Sequence, residues 1–408
     1  MKPSQTYYSE VIKTQIKQPH AKRNIVVVLL LFILVFLFGY FYIANNDLMI
    51  FRTALIKEAL RLNINPYQVD KSTVEDLLKQ YYWIQDFGEY HIDQAAFQYL
   101  IDIPLTIFSN IKVRSGIWML TLSIIISYIF WDVVIKQKRN QKLNIFGFLS
   151  ILIFLFISLT NGQQYSGVSL LLLTCILKLN ESLEHKTNVV AGISVGLMVL
   201  FAHDWAAFLA FASAFIALNK EYKVILWTVL TILIIILVTQ LVFPRWSTDF
   251  LNITIGKYKA VINLWFNSIK TLDFTVLQLI LKALLLSFLI ITLISSNSTD
   301  KYSSFSWGIS LAVCILVLIS DQPFRYIPLL LFPMINLIDS LFSQFPHNLN
   351  KINIGVCVVS TFFLFIHMSS IGINRNVNSS LQILFLILTL VLFILLYWFK
   401  PINKSNRL

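Results

Sequence analysis

Four short stretches hold the side chains best suited to acid–base or anion-binding chemistry. In ANNDL, Asp47 follows a long apolar run by only a few residues. A carboxylate there can deprotonate a hydroxyl, or it can cap a helix. TNGQQYSG (160–167) offers adjacent amides, Gln163 and Gln164, which suit a polar head group or simply form a turn. FAHDW (201–205) pairs His203 with Asp204, a functional candidate at a membrane hairpin tip or an interfacial pair anchored by Trp205. SDQPFRYIP (320–328) sets Arg325 beside Tyr326, where a guanidinium could hold a phosphate or face solvent in an ordinary loop.

These residues need elements to position them, and composition says which solvent those elements meet. The chain of 408 residues is 57% hydrophobic and 13% charged, a balance that makes the bilayer its solvent. The net charge of +12 does not imply a nucleic-acid partner, because the basic residues cluster beside apolar runs. Lys17, Lys22 and Arg23 precede the first run, and Lys136, Lys138, Arg139 and Lys142 follow a later one, the positive-inside pattern. Cys175, Cys314 and Cys357 lie inside apolar runs without ligand spacing, so neither a disulfide frame nor a cysteine metal site is expected. The first run is long and lacks a small-residue cleavage site, so it is expected to be a retained helix. Gly-rich phosphate loop, HExxH and Cys-pair signatures are all missing.

The expected fold class is an all-α polytopic membrane protein in one integral domain, with cytoplasmic segments at 1–23 and 400–408. Spans are expected at 24–44, 115–135, 143–160, 165–180, 189–202, 205–218, 224–243, 275–295, 305–320, 326–343, 353–370 and 381–399. That makes 12 helices, or 13 if 96–111 also crosses; Asp102 and Pro104 in that segment favour a re-entrant or short piece. Two amphipathic outer loops follow from this order, 45–95 with an interfacial helix over 47–62, and 244–274. On the helix the apolar stripe is Leu48, Phe51, Leu55, Ala59 and Leu62, with Arg52, Lys57, Glu58 and Arg61 largely off it. All four chemistry-bearing stretches then fall on the same, extracytoplasmic side.

The order of features is first span, prompt outer Asp, amphipathic helix, NPY, a GQ turn, then a helix with Gly192 and Gly196 ending in polar residues. Over about residues 25–220 it resembles the GT-C superfamily of membrane glycosyltransferases, and within it glycosyltransferase family 87, which contains polyprenyl-phosphate-mannose-dependent mannosyltransferases. The resemblance implies a GT-C-type fold with Asp47 as catalytic base, acting in the plasma (inner) membrane on a polyprenyl-phosphate sugar donor and a lipid or glycan acceptor. Candidate donor phosphate or head-group contacts are Arg325, His203, Lys257 and Tyr326. Candidate cavity or acceptor contacts are Gln163, Gln164, Asp204, Tyr67, Asp86 and Glu89. Where the family commonly shows Lys-Pro this chain has His203-Asp204, and of its Tyr-Pro-Pro only Tyr99 and Pro104 remain. No cofactor is expected; Asp86, Glu89 and Asp93 cluster in one loop and either join a divalent ion or form a solvated acidic turn. A glycan polymerase or ligase of similar fold is one rival. A lipid or solute transporter is another, with Lys282, Asp204 and Asp339 as its ionisable candidates.

Overall fold

The computed structural model describes residues 19–43, 47–70, 72, 99, 100, 102–136, 142–160, 166–185, 187–201, 222–253, 255, 256, 287, 303–319, 323–372 and 379–399. Among them the structure is helical and no strand occurs. Helix α1 is Pro19–Phe38, continued by a π-helical turn at Gly39–Ile43, and α2 is Asp47–Leu62. A single turn, α3 (Ile103–Thr106), leads into α4 (Ile111–Phe130), which ends in a π-helical stretch, Trp131–Lys136. Then come α5 (Ile145–Thr160), α6 (Ser166–Glu184), α7 (Asn188–Phe201), α8 (Tyr222–Val242) and a helical segment α9 (246–253). After these stand α10 (Ser303–Ile319), a 3-10 stretch Pro323–Leu330, α11 (Leu331–Gln344), α12 (Leu349–Gly372) and α13 (Ser379–Trp398).

Five described stretches are long and apolar enough to cross a membrane: Asn24–Phe41, Lys112–Lys136, Tyr222–Val242, Tyr326–Gln344 and Pro346–Ile366. Shorter apolar helices lie at Ile145–Ser158, Asn188–Leu200, Ser306–Leu318 and Ile383–Trp398. Outward-facing side chains match that setting: Leu34 on α1 is 67% exposed and Leu241 on α8 is 80% exposed. Such continuous apolar surface belongs in hydrocarbon, where helices satisfy their own backbone hydrogen bonds. Residues 102–110, between α2 and α4, hold only the four-residue α3, far too short to cross.

Helix pairing orients the bundle. We call the end at which α1 finishes the upper end. Tyr40 at the end of α1 lies beside Gly116 at the start of α4, so these two run antiparallel. Phe154 of α5 packs on Phe363 of α12 at 5.6 Å, and Asn144 donates to Asn350 at the lower end, so α5 and α12 run parallel. The helices α7 and α8 also run parallel, joined through the two glycines of α7. A Cβ on Gly192 would stand 2.3 Å from Trp227 Cβ and 2.7 Å from the Val224 carbonyl; one on Gly196 would meet Thr231 Cβ at 2.8 Å. The missing side chains let the backbones close in, and Thr228 Oγ1 donates to the Gly192 carbonyl at 3.2 Å. Gly192→Leu is therefore expected to destabilise the protein by about 1–3 kcal/mol through overpacking. Thermal unfolding in detergent checks this against Gly355→Leu, where an added Cβ meets nothing within 4 Å and no shift is expected.

Candidate functional site

At the upper end α2 packs against α3 and against the ends of α7 and α8. Leu55, Ile56 and Ala59 are fully buried in a cluster with Tyr99, Leu105, Leu200, Phe243 and Trp246. The buried face is therefore rotated from the stripe expected for a helix with one apolar side. Leu62 is 45% exposed, whereas Thr53 is fully buried and Glu58 is 6% exposed. Lateral cover accounts for the Arg52–Thr53 side of this rotation: Tyr99 and 102–114 flank α2 there and supply polar partners.

Those partners form an ionic knot. Arg52 makes an ion pair with Asp102, and its guanidinium sits 5.2 Å from the Tyr99 ring centroid. Asp102 occupies the cap position of α3 but makes no side-chain capping bond; its carboxylate is turned to Arg52 instead. Burial pushes the Asp102 carboxyl above the usual carboxylate range, and Arg52 partly restrains that rise. Next to Arg52, Thr53 Oγ1 accepts from Arg114 Nη1 at 3.2 Å, while Arg114 Nε donates to the Phe108 carbonyl. Adjacent residues of α2 are thus fastened to both ends of the 102–114 segment. On its outer flank, Arg61 Nε donates to Glu58 Oε2 at 2.9 Å, which holds the Glu58 carboxyl low.

The chain leaves α2 through a left-handed residue, Asn63 (φ 53°), with the Ile64 N–H donating to the Ala59 carbonyl at 3.0 Å. Asn65 then works as a clamp. Its Oδ1 accepts from the Tyr67 N–H at 3.0 Å; its Nδ2 donates to the Pro244 carbonyl at 3.0 Å and to Asp249 Oδ2 at 2.8 Å. Gln68 Nε2 donates to the same carboxylate oxygen at 2.8 Å, and the Tyr67 ring stacks on Phe250 at 6.1 Å. The segments 65–68 and 244–250, separate in the sequence reading, interlock here. Asn65→Ala is expected to cost about 1–3 kcal/mol, since it removes three hydrogen bonds made by a fully buried side chain. Hydrogen exchange checks it: protection should drop in 244–253 and stay unchanged across the α1–α4 pair.

Of the sequence-predicted residues, Asp47 begins the described part of α2, and Tyr67 sits in the clamp, half-buried. Tyr326 is 5% exposed in the main hydrophobic cluster, with Arg325 beside it in the 3-10 stretch, which packs on α5 and α6. His203, Asp204, Lys257, Gln163, Gln164, Asp86, Glu89 and Lys282 lie outside the described residues. Among the described residues, no group of three His, Cys, Asp or Glu side chains is placed to hold a metal ion.

Sequence reasoning missed the Arg52–Asp102 pair as a unit. The available signal was Asp102 itself, an acid in an apolar segment that needs a partner at that depth. A second ionic cluster, at the lower end, was also missed. Lys178 Nζ donates to Glu181 Oε2 at 2.8 Å and lies 5.1 Å from the Tyr128 ring centroid. Lys136 pairs with Glu181 and approaches Asp132 at 3.7 Å. This cluster ties the end of α4 to α6. No family model, no curated protein and no solved structure matches the chain.

Proposed function

We propose that the protein is an inverting membrane glycosyltransferase that moves a hexose from a polyprenyl-phosphate donor to a lipid-linked or cell-envelope glycan acceptor. One observation carries the reading: a 16-residue non-spanning helix, beginning at Asp47 four residues past the helical turn that ends at Ile43, is fastened at the upper end. A prenyl tail lies in the bilayer, so its reactive phosphate sits at the interface, the depth of a carboxylate placed just beyond a span. A sugar on a lipid phosphate already has a good leaving group and needs no strong acid. The requirement is a base for the acceptor hydroxyl, the role of Asp47, and cations for the phosphate, the roles of Arg325, His203 or Lys257. One base acting opposite the leaving group gives inversion at the anomeric carbon.

The GT-C-type fold with 12 spans, both termini cytoplasmic and the site facing outward, is part of the same proposal. The parallel run of α7 and α8 supports it, since a proposed 205–218 span would join the upper end of α7 to the lower start of α8. Phe385 of α13 packs on Phe363 of α12 at 5.7 Å and Trp307 Nε1 donates to the Leu396 carbonyl at 2.8 Å, so α10 starts at the lower end, as the proposed 275–295 span requires. The test is turnover: purified protein in nanodiscs, given polyprenyl-phosphate-mannose or -glucose and a lipid-acceptor extract, should form a glycosylated product with inverted configuration. Accumulation of unmodified substrate inside sealed vesicles, with no covalent product, would favour a transporter instead.

A further inference from the structure

The face between α5 and α12 carries a groove of about 480 Å³ that plays no part in the proposed transfer. Its walls are Phe146 on one side and Ile354, Cys357, Val358, Phe362 and Phe365 on the other. The one hydroxyl there, on Thr361, donates to the Cys357 carbonyl at 2.8 Å within its own helix, so the lining presents no polar group in need of a partner. Val358, Phe362 and Phe365 are 50%, 51% and 61% exposed, so the groove opens outward to the bilayer.

Its length and its rim identify the occupant. Ile354 and Phe365 are eleven residues apart on α12, about 16 Å at 1.5 Å per residue. That is close to half of a hydrocarbon core of about 30 Å, one leaflet's depth. Lys351 is exposed one helical turn below Ile354, and Lys142 is exposed across from it, its carbonyl accepting from Asn353 Nδ2 at 3.2 Å. The described rim residues 142–150 and 345–358 contain no Asp or Glu. An apolar channel one leaflet deep, closed at head-group level by cations, matches an anionic phospholipid. We propose that this groove is a binding site for such a lipid from the lower leaflet, with one acyl chain along α12 and its phosphate between Lys142 and Lys351. The site is independent of the glycosyltransferase reading, so either can fail alone.

The test uses full-length protein in nanodiscs of phosphatidylcholine doped with phosphatidylglycerol, followed by native mass spectrometry of the released protein. Wild type should retain one phosphatidylglycerol in preference to phosphatidylcholine. Val358→Trp fills the groove from the bilayer side without touching the buried core, and should abolish retention of that lipid. Lys142→Gln with Lys351→Gln should leave the groove open and lower the preference for the anionic lipid by about thirtyfold, roughly fivefold for each lysine. Equal retention of the two lipids by wild type, or unchanged phosphatidylglycerol retention in Val358→Trp, overturns the proposal. So does a dimer that Val358→Trp dissociates, since the groove would then be an interface between two copies.

Discussion

Asp47→Asn should leave the protein folded and membrane-inserted while lowering sugar transfer by about 10²–10⁴-fold, the span contributed by a positioned general base. The substitution separates the two roles open to this residue. Asparagine caps a helix about as well as aspartate, so a merely structural Asp47 would tolerate the change. An amide cannot accept the proton of an acceptor hydroxyl, so a base would not. Transfer rates in nanodiscs, compared at equal unfolding temperature, decide between them. Full activity in the variant removes Asp47 from the mechanism.

Asp102→Ala should destabilise the protein by about 3–5 kcal/mol, because it leaves the buried Arg52 guanidinium without its counter-ion. The double variant Arg52→Met with Asp102→Leu should recover most of that loss, since removing both charges removes the desolvation problem along with the attraction. Arg52→Met alone has a pH signature. With Arg52 present, burial raises the Asp102 carboxyl and the guanidinium restrains it; without it, burial acts unopposed. A carboxyl raised in the folded state favours the protonated form. Stability of Arg52→Met should therefore be greatest below the ordinary carboxylate range and fall as pH rises through the raised value. Thermal unfolding across pH in detergent measures this, and a profile parallel to wild type would mean that Asp102 is not desolvated as the structure has it.

Helix α2 shows how much was legible beforehand. Its extent, Asp47 to Leu62, follows from local signals: an apolar run ends, a helical period begins, and Asn63, Asn65 and Pro66 stop it. Its rotation was not legible. The sequence pattern separated Arg52 and Glu58 from the apolar stripe, yet both are largely buried: Asp102 and Tyr99 cover Arg52, and Glu58 pairs with Arg61 of its own helix. The role of Gly192 and Gly196 changed in a similar way. In the sequence they carried only a resemblance, and in the structure they are the surface on which α8 docks.

What the sequence determined by itself is the solvent, the helical class and the rough limits of many helices. Those depend on composition and on short-range backbone chemistry, which travel with the local chain. Which residues meet was decided only by the tertiary structure. Asn65 finds Asp249 184 positions away, and Arg52 finds Asp102 50 positions away (102 − 52). In a bilayer most helices are apolar all round, so hydrophobic periodicity does not say which face is packed and which meets lipid. Close backbone approach and the pairing of a few buried polar groups make that choice, and both depend on neighbours far away in the chain.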